Sequence, residues 1–283
     1  MKMKVKCKPV FLGLAVAALL VPVFAVSEPA SATAEKAPSC PRVLVIGLHG
    51  AGEGPSANEP KAKKSPTIQA TFKAFENEVK KLPNDGTSHD YQLKWFSYPT
   101  VPGGDLHSVK GLKNAVHTIA NTATKLYDYV ASRVDPCASR GTNTLVSVVG
   151  YSMGAWVINV ALTNHYYMAG LLNLVLLEGD PCWSKLSDQS AGLTQRAQEA
   201  RVQLGCLSAD VYPDFGFATP YYPRALCASK DPVCGEGFSV LTLKQQLDAA
   251  KKCSPSNGCP HFAYPKDGEA AKGGKWLADY AFT

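Results

Sequence analysis

Several features of nucleic-acid-binding, disordered or metal-binding proteins are weak or missing in this 283-residue sequence. Charged residues make up only 18% of the chain and hydrophobic residues 46%, so the chain can bury a core and is not intrinsically disordered. The net charge is +6, and it falls to +3 without residues 1–32, which hold four lysines and one glutamate. So small a charge gives no reason to expect binding to nucleic acid. The sequence has no Cys-x-x-Cys pair and no His-Glu-x-x-His motif, so we expect neither a metal site nor a cofactor.

Long hydrophobic runs are absent after the N-terminus. The run at 10–26 follows four lysines and precedes Ala30-Ser31-Ala32, a small-x-small site, which is the pattern of a secretory signal peptide. We therefore predict that residues 1–32 are removed and that the protein is secreted, to the cell envelope or beyond. The alternative is a retained membrane anchor, but 17 residues are short for a membrane span and Pro22 interrupts them.

The cysteines agree with export. Cys7 would leave with the signal peptide, and an even set of eight in an exported chain predicts up to four disulfides. The eight are Cys40, Cys137, Cys182, Cys206, Cys227, Cys234, Cys253 and Cys259.

Residues 33–283 alternate between short apolar strands and amphipathic helices. Strands are predicted at 42–48, 91–98, 145–149 and 171–177, and helices at 65–82, 108–133, 153–164, 241–252 and 268–280. Strands that are almost wholly apolar are typical of a parallel sheet covered on both faces, so the prediction is one α/β domain. Residues 178–235 read as loop-rich, with an aromatic stretch at 212–222.

The sequence Gly150-Tyr151-Ser152-Met153-Gly154 follows an apolar strand and opens a helix. This is the context of a nucleophile elbow, in which glycines make room for a tight turn that exposes the serine hydroxyl. The helix N-terminus places partial positive charge beside a developing oxyanion. The alternative is an ordinary helix start with Ser152 as the N-cap.

A nucleophilic serine needs a histidine base and a carboxylate that orients it. In the order nucleophile, acid, base, the histidine comes last, and His261 is the only histidine well after Ser152. The acid is predicted to be Asp231, in a short loop between Cys227 and Cys234, and the rival is Asp180, directly after a predicted strand.

The oxyanion hole is predicted to combine the backbone N–H groups of Met153 and Ala51. Ala51 lies in the loop His49-Gly50-Ala51-Gly52 after the first strand, where small residues let the backbone approach a substrate. The alternative is a glycine-rich turn that binds nothing.

Together these motifs resemble the cutinase family of secreted serine esterases, from about Cys40 to Tyr264. The matching elements are the first-strand loop ending in Glu53, Tyr98-Pro99, Ser108-Val109 with Gly111, the elbow 150–154, the Cys227–Cys234 loop with Asp231, and His261-x-x-Tyr264. With the lysine-rich start, the resemblance favours a bacterial member.

The resemblance implies a three-layer α/β/α sandwich with a mostly parallel sheet and a Ser152–Asp231–His261 triad. It also implies the disulfides Cys40–Cys137 and Cys227–Cys234. Family members hydrolyse carboxylic esters, from short acyl esters to polyesters and lipids, and some deacetylate xylan. The expected substrate is therefore an ester, and we expect a monomer without a stable membrane span.

Three departures from the family pattern stand out. The usual Arg-Gly-Ser or Arg-Gly-Thr is replaced by His49-Gly50-Ala51, so a hydroxyl donor to the oxyanion is missing, and one lost donor can cost on the order of 100-fold in rate. The stretch between Asp231 and His261 is longer and holds Cys253 and Cys259, which we expect to pair. The region 182–226 is also longer, and it could form a lid or ordinary packing.

Three functions are compatible with the sequence. The leading hypothesis is a secreted ester hydrolase or polyesterase. The second function is a lipid-directed hydrolase (lipase, phospholipase or acyl thioesterase) with the same triad, which the aromatic segment 212–222 favours. The third is an exported binding protein without activity, which only the departure at Ala51 supports.

Overall fold

Five strands form the centre of the fold in the computed structural model, which describes residues 40–53, 65–83, 89–101, 108–165, 167–182, 222–228, 230–234, 248 and 251–282. All of these residues belong to one unit, Pro38–Thr283. The predicted signal peptide lies outside the described residues.

The sheet is parallel throughout. Its strands are β1 (Val43–Leu48), β2 (Tyr91–Trp95), β3 (Leu145–Tyr151), β4 (Leu174–Glu178) and β5 (Tyr222–Leu226), in the order β2-β1-β3-β4-β5. Every residue of β1 and β4 is buried, which explains why these strands, apart from Glu178 at the end of β4, are apolar on both faces. The register places Leu48 beside Gly150 and Gly150 beside Leu177, so the carboxyl ends of the three central strands meet at one edge.

Helices cover both faces of the sheet. The helices are α1 (Pro66–Val79), α2 (Val109–Ala138), α3 (Met153–Asn164), α4 (Met168–Leu171), α5 (Tyr264–Asp267) and α6 (Glu269–Ala281), with single 3₁₀ turns at Pro255–Asn257 and Pro260–Phe262. On one face Leu44 and Ile46 share a core with α2 and α3, and on the other Val43 and Val45 share one with α1 and α6. The predicted three-layer α/β/α fold is therefore confirmed.

Several element boundaries differ from the predictions; β2, for example, ends at Trp95 rather than at residue 98. The strand predicted at 171–177 begins only at Leu174, because Leu171 ends α4 and the Asn173 side chain accepts a hydrogen bond from the Val146 N–H at 2.8 Å. Strand β5 lies inside the segment 178–235, for which the sequence predicts mainly loops, and it contains Pro223, which an edge strand tolerates. Helix α2 runs past its predicted end at 133, through Pro136, to Ala138. The predicted helix 241–252 falls mostly outside the described residues.

Three disulfides are formed among the described cysteines. Cys40–Cys137 joins the chain before β1 to the last turn of α2, Cys227–Cys234 closes the loop after β5, and Cys253–Cys259 precedes the His261 turn. Cys182 is also disulfide-bonded, while Cys206 lies outside the described residues. Among the helices that the structure describes, none has both the length and the apolar character needed to cross a bilayer.

Candidate active site

Ser152 occupies a strained turn between β3 and α3. Its φ of 53° lies in the left-handed region, which non-glycine residues rarely adopt. A Cβ on Gly150 would lie 2.5 Å from the Ala155 nitrogen, and one on Gly154 would lie 2.5 Å from the Leu48 oxygen, so both positions require glycine. The Ser152 side chain makes no capping hydrogen bond, which is contrary to the helix-cap alternative.

The Ser152 hydroxyl is hydrogen-bonded to His261. The distance between Ser152 Oγ and His261 Nε2 is 2.8 Å, and His261 Nδ1 lies 2.9 Å from Asp231 Oδ2. His261 and Asp231 are both buried, with 4% and 1% of their surface exposed, so little water competes for these bonds. The structure thus brings the predicted nucleophile, base and acid into one line of hydrogen bonds.

Asp231 is held by its own loop. Its Oδ1 accepts a hydrogen bond from the Val233 N–H at 2.8 Å, and its Oδ2 accepts one from the Tyr264 hydroxyl at 3.0 Å. A sulfur of the Cys227–Cys234 bridge touches the same Oδ2 at 3.1 Å, a contact without a hydrogen because the sulfur is in a disulfide. For the same reason the grouping of Cys227, Asp231 and Cys234 offers no thiolate to a metal ion.

Asp180, the rival acid, is engaged elsewhere. It is fully buried and accepts hydrogen bonds from the Cys182 N–H at 2.9 Å and from the Asn159 side-chain amide. Burial raises the pKa of Asp180 to about 7, against the opposing effect of these hydrogen bonds. Its carboxyl group therefore supports the turn after β4, whereas Asp231 is the carboxylate that contacts His261.

Two residues that the sequence did not single out fix the His261 ring. The Tyr151 ring stacks on it with centroids 5.2 Å apart, and the Tyr151 hydroxyl donates to the His261 carbonyl oxygen. On another side, a Cβ at Gly179 would lie 2.9 Å from His261 Cε1, and Gly179 has a φ of +61°. Tyr151 lies within the elbow and Gly179 follows β4, but neither residue type by itself indicates contact with a histidine.

The loop after β1 lies against the elbow. The space that a Gly154 side chain would need is filled by the Leu48 and His49 carbonyl oxygens. The buried His49 ring stacks on Tyr98 at 4.2 Å, and the Tyr98 hydroxyl donates to the His49 carbonyl oxygen. Burial lowers the pKa of His49, which favours a neutral imidazole.

Glu53 closes this loop from its far end. Its Oε2 accepts a hydrogen bond from the Gly50 N–H at 3.0 Å, and its own N–H donates to the Gly50 carbonyl at 3.3 Å. Burial raises the pKa of Glu53, while a hydrogen bond from Ser65 and the nearby His261 act in the opposite direction. Ala51, which lies between Gly50 and Glu53, is half-buried against the core.

The remaining histidines have other surroundings. His165 stacks on Tyr127 at 4.8 Å, His89 packs edge-on against Phe282, and His117 lies on α2. His107 lies outside the described residues.

Comparison with known proteins gives matches among solved structures. A comparison with family models finds no match, and neither does one with curated proteins. The chain is similar to a cutinase-like protein from Cryptococcus sp., with a TM-score of 0.46 and 18% identity over 86% of this chain and 95% of that one.

Two further solved structures match at lower identity. The catalytic core domain of acetyl xylan esterase from Trichoderma reesei has a TM-score of 0.41 and 14% identity, over 86% of this chain and all of that one. Lysin B from Mycobacteriophage D29 has a TM-score of 0.35 and 12% identity, over 85% of this chain and 91% of that one.

Proposed function

We propose that this protein is a secreted serine carboxylic-ester hydrolase that works through an acyl-enzyme intermediate. The observation that carries this proposal is the hydrogen-bonded line from Ser152 through His261 to Asp231, built on a strained turn at the carboxyl edge of the sheet. Such a line is the arrangement that activates a serine hydroxyl for attack on a carbonyl.

Each of the three side chains has one role. Ser152 Oγ attacks the ester carbonyl while His261 Nε2 takes its proton, and Asp231 stabilises the imidazolium that forms. The tetrahedral intermediate collapses when His261 returns the proton to the leaving alcohol, which leaves Ser152 acylated. Water then attacks the acyl-enzyme with His261 again as base, which releases the acid and restores the serine.

The negative oxygen of the intermediate needs hydrogen-bond donors. The Met153 amide stands at the N-terminus of α3, where the helix dipole also favours negative charge. The Ala51 amide belongs to the loop whose start packs against Gly154 and whose end is closed by Glu53. We assign these two amides to the oxyanion hole, with no side-chain hydroxyl from position 51.

Secretion is supported by the disulfides. Three bridges among the described cysteines form and persist in an oxidising compartment, in line with the signal-peptide pattern at residues 1–32. The segment 212–222, on which the lipid-directed alternative depends, lies outside the described residues. The preferred acyl-chain length of the substrate therefore has to be measured.

The test is hydrolysis of p-nitrophenyl esters from acetyl to palmitoyl. We expect activity in the wild type and its loss in Ser152→Ala, and the chain-length optimum separates a short-chain esterase from a lipid hydrolase. Ser147→Ala is a matched control, because Ser147 lies on β3, the strand that leads to Ser152, is buried, and its hydroxyl has no hydrogen-bond partner among the described residues.

Labelling by an active-site phosphonate decides the case of an inactive wild type. Labelling at Ser152 without turnover of these esters would indicate a narrower substrate. Wild-type protein that neither hydrolyses any ester nor reacts with the phosphonate would refute the proposal and favour the binding protein.

A further inference from the structure

Tyr264 has its hydroxyl group at the back of the candidate active site. It is fully buried, begins α5, and follows His261 by three residues. Its oxygen accepts a hydrogen bond from the Ala228 N–H at 2.9 Å and lies 3.0 Å from Asp231 Oδ2. The phenol therefore connects the strand end before the acid loop to the acid itself.

A phenol has one hydrogen to donate, and among the described residues three acceptors lie around it. Asp231 Oδ2 lies at 3.0 Å, a sulfur of the Cys227–Cys234 bridge at 3.2 Å and the Leu226 carbonyl oxygen at 3.3 Å. The carboxylate is both the nearest and the only charged acceptor of the three, so it takes the hydrogen. Burial and the Asp231 charge raise the pKa of Tyr264, so the phenol keeps its proton.

Asp231 Oδ2 consequently receives two donors, His261 Nδ1 at 2.9 Å and the Tyr264 hydroxyl at 3.0 Å. Oδ1 is bound by the Val233 N–H. With both oxygens bound, the carboxyl group is fixed against rotation about its side chain. The negative charge on Oδ2 is also shared between His261 and Tyr264.

We propose that Tyr264 is a positioning residue that fixes the orientation of Asp231 and moderates its pull on the His261 proton. This inference rests on the proposed function and adds to it a fourth member of the hydrogen-bonded line. Without the hydroxyl, the negative charge on Asp231 Oδ2 is no longer shared with Tyr264 and acts on His261 alone. This favours the protonated imidazole. The carboxylate also loses one of the contacts that fix it.

The experiment compares Tyr264→Phe with the wild type, because phenylalanine keeps the buried ring and removes only the hydroxyl. We expect kcat for a p-nitrophenyl ester to fall roughly 10-fold, as for a lost hydrogen bond to a charged group, with KM little changed. The acidic limb of the pH–rate profile is expected to move to higher pH. A loss of packing alone would lower activity without moving that limb.

Tyr129→Phe serves as the matched control. Tyr129 is a half-buried tyrosine on α2 that packs against the core on the opposite face of the sheet, so neither kcat nor the limb should change. A second comparison adds Tyr264→Phe to the Asp231→Asn variant. The addition should not lower kcat further, because the charge through which Tyr264 acts is absent. An unchanged acidic limb in Tyr264→Phe, or an additive loss in the double variant, would overturn the inference.

NMR titration of the His261 ring gives a readout that does not need turnover. The titration is expected to move to higher pH in Tyr264→Phe, and an unmoved titration counts against the role of Tyr264. This separates the two proposals, because failure of the esterase proposal is a wild type that neither hydrolyses any ester nor reacts with the phosphonate. The Tyr264 inference fails if the His261 ring of the Tyr264→Phe variant titrates with the same midpoint as in the wild type. This outcome can be observed whether or not either protein hydrolyses esters.

Discussion

Replacing Glu178 by glutamine tests how a buried acid affects stability. Glu178 ends β4, is fully buried, and has its carboxyl oxygens 2.8 and 3.1 Å from Thr71 Oγ1. Helix α6 covers it so closely that a Cβ on Gly273 would lie 2.7 Å from Oε1. Burial raises the pKa of Glu178 from its ordinary 4.5 to about 8, Glu269 and Asp267 act in the same direction, and the Thr71 hydrogen bond opposes them.

The sign of the effect follows from proton binding. Between pH 4.5 and 8 the folded protein holds a proton on Glu178 that the unfolded chain has lost, so the free energy of unfolding falls as the pH rises. The stability is fully present below pH 4.5 and is lost progressively up to the folded-state pKa. At about 1.4 kcal/mol per pH unit, the loss by pH 8 is about 5 kcal/mol.

Urea unfolding at several pH values from 4.5 to 8.5 measures this loss. Glutamine keeps a group that can bond to Thr71 and carries no proton to lose, so Glu178→Gln should gain stability relative to the wild type as the pH rises. Asp128→Asn is the control for the removal of one carboxylate, because Asp128 is exposed on α2. A stability difference between Glu178→Gln and wild type that is the same at every pH would refute the reasoning.

Three further variants probe the site. Gly179→Ala places a Cβ 2.9 Å from His261 Cε1 at a positive φ, so kcat/KM should fall on the order of 10- to 100-fold, and normal steady-state kinetics would contradict the contact. Removing the bridge by Cys227→Ala with Cys234→Ala should lower kcat and cost about 2–3 kcal/mol in urea unfolding, with the circular dichroism spectrum unchanged. If activity and secondary structure are lost together, the bridge does not act through the acid. Glu53→Gln keeps an acceptor for the Gly50 N–H but removes a negative charge near His261. The acidic limb of the pH–rate profile should therefore move to lower pH, and a move to higher pH would contradict the prediction.

The central sheet was predictable because its pattern is local. Strands such as β1 are buried on both faces, and an uninterrupted apolar run marks them directly in the sequence. Strand β5 was missed because its sequence includes Pro223 and because its place at the edge of the sheet is set by pairing with β4, which no local pattern encodes. The start of β4 was misplaced because Asn173 bonds to a neighbouring strand, again a contact distant in sequence.

The site was predictable to the extent that chemistry restricts residue type and order. A serine on an elbow needs a histidine well after it in the chain, and only His261 met that condition. The supporting contacts were not predictable, because stacking of Tyr151 and the close approach of Gly179 depend on how β3 and β4 align at their ends. Tyr264 was visible within a motif, but its bond to Asp231 emerges only when the two loops fold together.

The positive φ of Ser152 has a consequence for protein engineering. A non-glycine residue in such a conformation costs about 1–3 kcal/mol, which the surrounding contacts, including the Ser152 N–H bond to the Glu178 carbonyl, must offset. Glycine at position 152 would remove that cost together with the nucleophile. A directed-evolution screen for thermal stability alone would therefore favour inactive clones, so every round of selection on this scaffold has to include turnover.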